Sequence, residues 1–153
     1  VTAADDGTAD LDRRVADRLL QHGVRYTNTR RVVVRVLSEV DGPRSAAEIG
    51  SRVEGHVPIS SLYRSLTVLA DSGVLDRTHE VAGVTRYELG EWILGHHHHL
   101  VCMKCGDVAD VDFDADWEAA FQTMIGRVGA RHGFQASGHR LDVEGLCERC
   151  RTG

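Results

Sequence analysis

The four cysteines of this chain fall in two Cys-x-x-Cys pairs, Cys102-Met103-Lys104-Cys105 and Cys147-Glu148-Arg149-Cys150. Two closely spaced thiolate pairs supply the sulfurs of a closed, tetrahedral structural Zn²⁺ shell. Disulfide bonding is the competing chemistry, but it suits small secreted domains that lack a core. The spacing ties a mid-chain segment to the far end of the sequence, so the region between must fold as one unit. Directly before the first pair runs His96-His97-His98-His99, which extends the same metal chemistry with imidazoles. Catalytic zinc needs three protein ligands, an open position and a general base. A four-cysteine shell is closed, and no His-Glu-x-x-His or deaminase-type signature occurs. The sequence therefore predicts a metal-binding protein that is not an enzyme.

The elements that position these residues are legible from periodicity. Residues 1–10 are small, acidic and aperiodic, and read as a flexible tail. Leu11, Val15, Leu19 and Leu20 form a helical stripe that Gly23 stops. Asn28 or Thr29 caps a second helix with Val32, Val33, Val36, Leu37 and Val40 on its apolar face. Ser45 caps a third, Ala46 to Val53, with Glu48 at the capping-box position. A fourth runs from about Ser61 to Ser72 on Leu62, Leu66, Leu69 and Ala70. A hairpin follows, Val74 to Glu80 and Val84 to Leu89, turning at Ala82-Gly83. This order is that of a winged helix-turn-helix, in which the last helix enters the DNA major groove and the hairpin touches flanking backbone.

The outer face of the fourth helix carries Ser60, Ser61, Tyr63, Arg64 and Thr67, groups suited to phosphate and base-edge contacts. Charge placement agrees. The chain has a formal net charge of −5, yet between Arg25 and Arg35 there are four arginines and no acid. Phosphate contacts depend on such local placement and not on the total. No apolar stretch approaches membrane-spanning length, which points to a cytoplasmic protein with no membrane partner. Gly90 to Gly95 reads as a hinge. Beyond it, 98–111 reads as two strands around the first cysteine pair, 112–133 as a helix with Trp117, Phe121, Ile125 and Val128 on one side, and 138–146 as a last strand. The expected class is α+β: a winged-helix domain over 1–89, a hinge over 90–95, and an α/β domain with a four-cysteine zinc site over 96–153. A zinc-ribbon interaction module without DNA binding is the rival of a different class; the arginine patch and the Ser-Ser-Leu-Tyr-Arg helix argue against it.

Taken together, Tyr26-Thr27-Asn28-Thr29-Arg30, Ile59-Ser60-Ser61-Leu62-Tyr63-Arg64-Ser65-Leu66, His96-His97-His98-His99-Leu100-Val101-Cys102, Arg131-His132-Gly133-Phe134, His139 and Gly145-Leu146-Cys147 resemble the ferric uptake regulator family of bacterial metal-sensing repressors. The resemblance implies a homodimer on a double-stranded, AT-rich palindromic operator, controlling genes of metal-ion homeostasis. Metal is the implied corepressor. Within that resemblance Tyr63 and Arg64 look like recognition-helix contacts, and Arg30 like the basic residue after the first helix. His97 and His99 face one way along a strand and resemble the regulatory pair; Glu88 and Asp76 stand at the hinge, with His79 in reserve. His96 and His98 face the other way and resemble half of a second site, completed by His139 and by Glu118 or Gln122.

Three departures bear on the sensed metal. The segment Asp41-Gly42-Pro43-Arg44 lacks the histidine that many members place before the third helix. Gly90 stands where zinc-sensing members carry a cysteine. The stretch from Cys105 to His132 is longer than usual. A regulatory shell of imidazole and carboxylate suits Fe²⁺, Mn²⁺, Ni²⁺ or Zn²⁺; the missing thiolate favours iron over zinc by a small margin, and His98 pulls back toward zinc or nickel.

Overall fold

The computed structural model describes the backbone of residues 3–81 and 83–152, with side chains for 7–78 and 83–152. The chain divides into two compact units, Val1–Gly95 and His96–Gly153.

The first unit opens with α1 (Ala3–Gln21). Helix therefore occupies most of the stretch expected to be a tail. Alanines at 3, 4 and 9 favour helix, and Asp10 pairs with Arg13 one turn on at 2.5 Å. Val15 and Leu19 are fully buried, whereas Leu20 is 75% exposed and leaves the expected stripe. Helix α2 (Asn28–Ser38) is capped by the Thr27 side chain, which accepts from the Arg30 N–H. The cap thus lies one residue before the expected pair, because Thr27 is the last residue in extended geometry. Strand β1 (Arg44–Ser45) leads into α3 (Ala46–Arg52), where Ser45 and Glu48 form the full capping box. Helix α4 (Ile59–Asp71) ends at Ser72, and Gly73 turns the chain with φ +66°.

Strands β2 (Leu75–Val81) and β3 (Val84–Leu89) form the hairpin, and β1 pairs with β3, so the sheet order is β1-β3-β2. The ladder shifts register between Thr78 and Glu80. Ala82 and the His79 side chain lie outside the described residues. Val33, Val34, Leu37, Ile49, Leu62, Leu66, Leu69, Leu75 and Leu89 close the core against Val15 and Leu19. The expected hinge is not structureless: Glu91–Leu94 forms a helical turn, α5, and Trp92 and Ile93 pack on this core.

In the second unit β4 (His98–Cys102) is the central strand. It pairs antiparallel with β5 (Val108–Val111) and parallel with β6 (Asp142–Gly145). Between β5 and β6 lies α6 (Ala115–Arg131), which the Asp114 carboxylate caps through the N–H groups of Asp116 and Trp117. Residues 138–141, expected in the last strand, stay irregular. A short helix, α7 (Glu148–Thr152), closes the chain. Of the apolar side expected for this helix, Trp117 and Val128 are exposed, as is Met124. Among the described residues no helix is long and apolar enough to cross a membrane.

Candidate metal centres and nucleic-acid interface

Strand register assembles the cysteine site. The parallel β4–β6 ladder pairs Cys102 with Gly145, two residues before Cys147, and Met103 N–H donates to the Gly145 carbonyl. Gly106, at φ +71°, lets the chain fold back so that its N–H reaches the Cys102 carbonyl. All four cysteines are free thiols, and their sulfurs lie within 4.8 Å of one another. Cys105 and Cys147 Sγ are 3.8 Å apart; four sulfurs about 2.3 Å from one zinc would be separated by about 3.8 Å. Backbone N–H groups of Cys147 and Cys105 directed at the Cys102 sulfur lower its thiol to about 6. Burial and the neighbouring sulfurs push Cys150 up to about 12. Four thiolates this close repel unless a cation sits among them, so the donor set fits Zn²⁺.

The histidine run splits across β4. On one side His96, His98, His139 and Glu118 each present a ligand atom within 4.8 Å of the others. His98 Nε2 is 2.5 Å from Glu118 Oε1, and His96 and His139 Nε2 are 3.3 Å apart. His98, 1% exposed, packs on Phe113, while Phe121 stacks on His139. The hydrogen bond with His98 holds the Glu118 carboxyl below its usual range, against the opposing effect of burial. Gln122 stands behind this cluster, its amide 3.3 Å from His139 Nδ1.

On the other side His97, His99 and Asp110 bring ligand atoms within 4.8 Å of one another. The two rings meet edge to face at 4.9 Å, and His99 Nε2 lies 3.7 Å from Asp110 Oδ1. Asp110 escaped the sequence reading. The signal was an acid on an alternating strand just past the knuckle, and the β4–β5 register sets it opposite His99. In the first unit Asp76 and Glu88 stand directly opposite across the β2–β3 ladder, with Glu88 buried.

Helix α4 buries Leu62, Ser65, Leu66 and Leu69 and exposes Ser60, Tyr63, Arg64 and Thr67; Ser61 is half-buried. Tyr63 is 52% exposed. The Thr67 hydroxyl donates to the Tyr63 carbonyl. Arg30 is half-buried, and its guanidinium donates to the Arg25 carbonyl, so it braces the entry to α2. Arg25 and Arg35 are the exposed members of the patch. Arg31 pairs with Asp12 at 3.1 Å over the Tyr26 ring. Tyr26 donates to Asp12, and burial with this bond raises its phenol well above the usual range.

A winged helix whose α4 exposes Tyr63 and Arg64, on a chain that also gathers three groups of side chains able to hold a metal, has the parts of a metal-responsive transcription regulator. The Ferric uptake regulator family matches residues 21–144, and the chain belongs to that family. It is 31% identical over 142 residues to the ferric uptake regulation protein of Bacillus subtilis (strain 168), covering 90% of this chain and 92% of that one. It is 32% identical over 135 residues to the zinc uptake regulation protein of Mycobacterium tuberculosis (strain ATCC 25618 / H37Rv), covering 85% and 97%. The fold matches the crystal structure of the Vibrio cholerae ferric uptake regulator with a TM-score of 0.70 at 26% identity, over 86% of this chain and 98% of that one.

Proposed function

We propose that this chain is a dimeric repressor whose affinity for a palindromic, AT-rich operator is raised by a divalent metal held at His97 and His99, with iron as the sensed ion. The observation that carries the choice of metal is the donor set. All four cysteines belong to the zinc cluster, which leaves imidazole and carboxylate at His97, His99 and Asp110. Oxygen and nitrogen donors without thiolate suit Fe²⁺. Glu88, or Asp76 opposite it, is the carboxylate we assign to the same shell from the first unit, on the burial of Glu88 and its place just ahead of α5. A ligand set drawn from both units binds one interdomain arrangement better than others, and only such differential affinity shifts a population.

The second unit supplies the dimer contact in this reading. Trp117, Met124 and Val128 on α6 are exposed in the single chain, and a second copy is the occupant that family membership supports. Tyr63 and Arg64 read the operator, helped by Ser61 and Thr67. Operator binding places the protein in the cytoplasm.

A zinc-sensing reading draws support from the cluster of His96, His98, His139 and Glu118, whose three imidazoles and one carboxylate offer the four donors of a tetrahedral shell. Relatives named for iron and for zinc are similarly identical to this chain, at 31% and 32%. Selection of bound duplexes from a random pool, run anaerobically with Fe²⁺, Mn²⁺, Ni²⁺ or Zn²⁺ in turn, tests the proposal. Retention is expected with Fe²⁺ at the lowest free metal concentration. Retention independent of metal would overturn metal-dependent repression, and retention with Zn²⁺ alone would transfer the sensor to zinc.

A further inference from the structure

Strand β4 is the middle strand of its sheet, and His99 has an aspartate beside it on either flank. The antiparallel ladder pairs His99 with Asp110, and the parallel ladder pairs it with Asp142. The ring divides its two nitrogens between them. Nδ1 lies 3.3 Å from Asp142 Oδ1, within hydrogen-bond reach, while Nε2 lies 3.7 Å from Asp110 Oδ1. The His99 side chain is only 10% exposed, so protein groups more than water set its orientation, and Asp142 is the one within hydrogen-bond reach of Nδ1.

A neutral imidazole carries one N–H, and an ionised carboxylate can only accept. With the proton on Nε2, the Nδ1 lone pair would face the Asp142 oxygen. With the proton on Nδ1, the ring donates to Asp142 and presents the Nε2 lone pair on the side of Asp110 and His97. We propose that Asp142 is a positioning residue for the metal switch: it fixes His99 in the Nδ1–H tautomer and so makes Nε2 the metal-binding nitrogen. A carboxylate behind a ligating histidine also raises the basicity of the ligating nitrogen. In the opposite cluster the atom at His139 Nδ1 is the Gln122 amide nitrogen, which donates and does not accept, so no acceptor there fixes an Nδ1–H tautomer. An acceptor oxygen at the Nδ1 position distinguishes the His97–His99 side. This inference rests on the reading that His97 and His99 hold the regulatory ion, and the test separates the two.

The test compares wild type, Asp142→Asn, Asp142→Ala and His97→Ala, each with its four-cysteine zinc retained. Ring ¹⁵N shifts in the protein without regulatory metal read the His99 tautomer, assigned by the signal lost in His99→Asn. Competition of Co²⁺ or Mn²⁺ against a chromophoric chelator reads affinity. Wild type is expected in the Nδ1–H form. Asp142→Ala should lose that preference and bind metal roughly 10- to 100-fold more weakly, the range seen when such supporting partners are removed. Asp142→Asn keeps an oxygen that accepts from Nδ1, so it should retain the tautomer and recover most of the affinity. Zinc content of one equivalent in every variant certifies the fold. Wild-type affinity in Asp142→Ala beside a weakened His97→Ala overturns the role of Asp142 alone. Asp142→Asn as weak as Asp142→Ala shows that the carboxylate acts as a ligand or through charge, and overturns positioning. Wild-type affinity in His97→Ala overturns the regulatory-site reading and this inference with it.

Discussion

The indole N–H of Trp92 donates to the Gly73 carbonyl at 2.7 Å, which fastens the helical turn after the wing to the glycine that turns the chain out of α4. Two guanidiniums of α1 flank the same ring, Arg14 at 5.4 Å and Arg18 at 5.7 Å from its centroid. Arg14 also donates to the Trp92 carbonyl and Arg18 to the Ser72 carbonyl. Helix α1, the turn and the end of α4 are thereby held as one body. Gly90 is part of the arrangement: a Cβ there would lie 2.9 Å from Trp92 Nε1 and 3.3 Å from the Gly73 oxygen. The position where zinc-sensing members resembling this chain carry cysteine is closed here by the indole.

Gly90→Cys should therefore displace the Trp92 ring and break its hydrogen bond, at a cost of about 1–2 kcal/mol. Thermal melting and tryptophan emission in a Trp117→Phe background check this. A lower Tm with red-shifted emission is expected; an unchanged Tm and spectrum would show that the pocket tolerates a thiol.

A second tie holds the wing to the helix-turn-helix. Arg86, nearly buried on β3, donates to Glu48 at 2.8 Å, and Glu48 accepts the Ser45 N–H. Burial alone would raise the Glu48 carboxyl, but the Ser45 hydrogen bonds and the arginines Arg86 and Arg44 bring it below its usual 4.5. A carboxyl lowered in the folded state contributes stability above its unfolded pKa and loses it as pH falls through the folded value. Glu48 is partly open to water, so solvent screening limits the effect to about 1 kcal/mol. Glu48→Gln should melt below wild type at pH 7, and the gap should close as pH falls from 4.5 through the lowered folded value. A gap independent of pH would contradict the ionic part of the account.

Cys102→Ser removes one sulfur from the four-cysteine group proposed to hold zinc. Structural zinc contributes on the order of 10 kcal/mol to folding in small zinc domains. The variant is expected to lose its zinc, the cooperative melting of the second unit and the dimer. Metal analysis with sedimentation checks it, and a zinc-loaded dimer with wild-type melting would refute the assignment.

The sequence made some of this plain and hid the rest for physical reasons. The capping box at Ser45 and Glu48, the core stripe of α4 and the cysteine pairs are local signals whose chemistry follows from spacing alone. Asp110 and Asp142 were missed because their importance comes from register across β4, which no local pattern encodes. Glu118 and Gln122 stood one turn apart on the same face, and only the folded second unit puts Glu118 among the imidazoles and Gln122 behind one of them. The one-sided stripe of α6 was legible, but periodicity shows only that a face is apolar and not what covers it, and Trp117 and Val128 are exposed. Arg30 looked like a phosphate contact by type, yet the nearby Arg25 carbonyl engages its guanidinium.

Arg64, exposed beside Tyr63 on α4, should carry recognition. Arg64→Ala is expected to weaken operator binding by about 1–3 kcal/mol and, if the contact is to phosphate, to lower the salt slope by about 1. Filter binding across a salt series reads both. Wild-type affinity and slope would move the reading face off α4.

Metal-titrated operator binding by wild type, His97→Ala and His139→Ala, in parallel, addresses the central claim that the His97–His99 side of β4 sets DNA affinity. Wild type should gain affinity with metal; His97→Ala should show no gain while keeping its cysteine-bound zinc and its dimer; His139→Ala should gain, but less. A fully metal-responsive His97→Ala beside an unresponsive His139→Ala would contradict the account and place the switch on the opposite face of the strand.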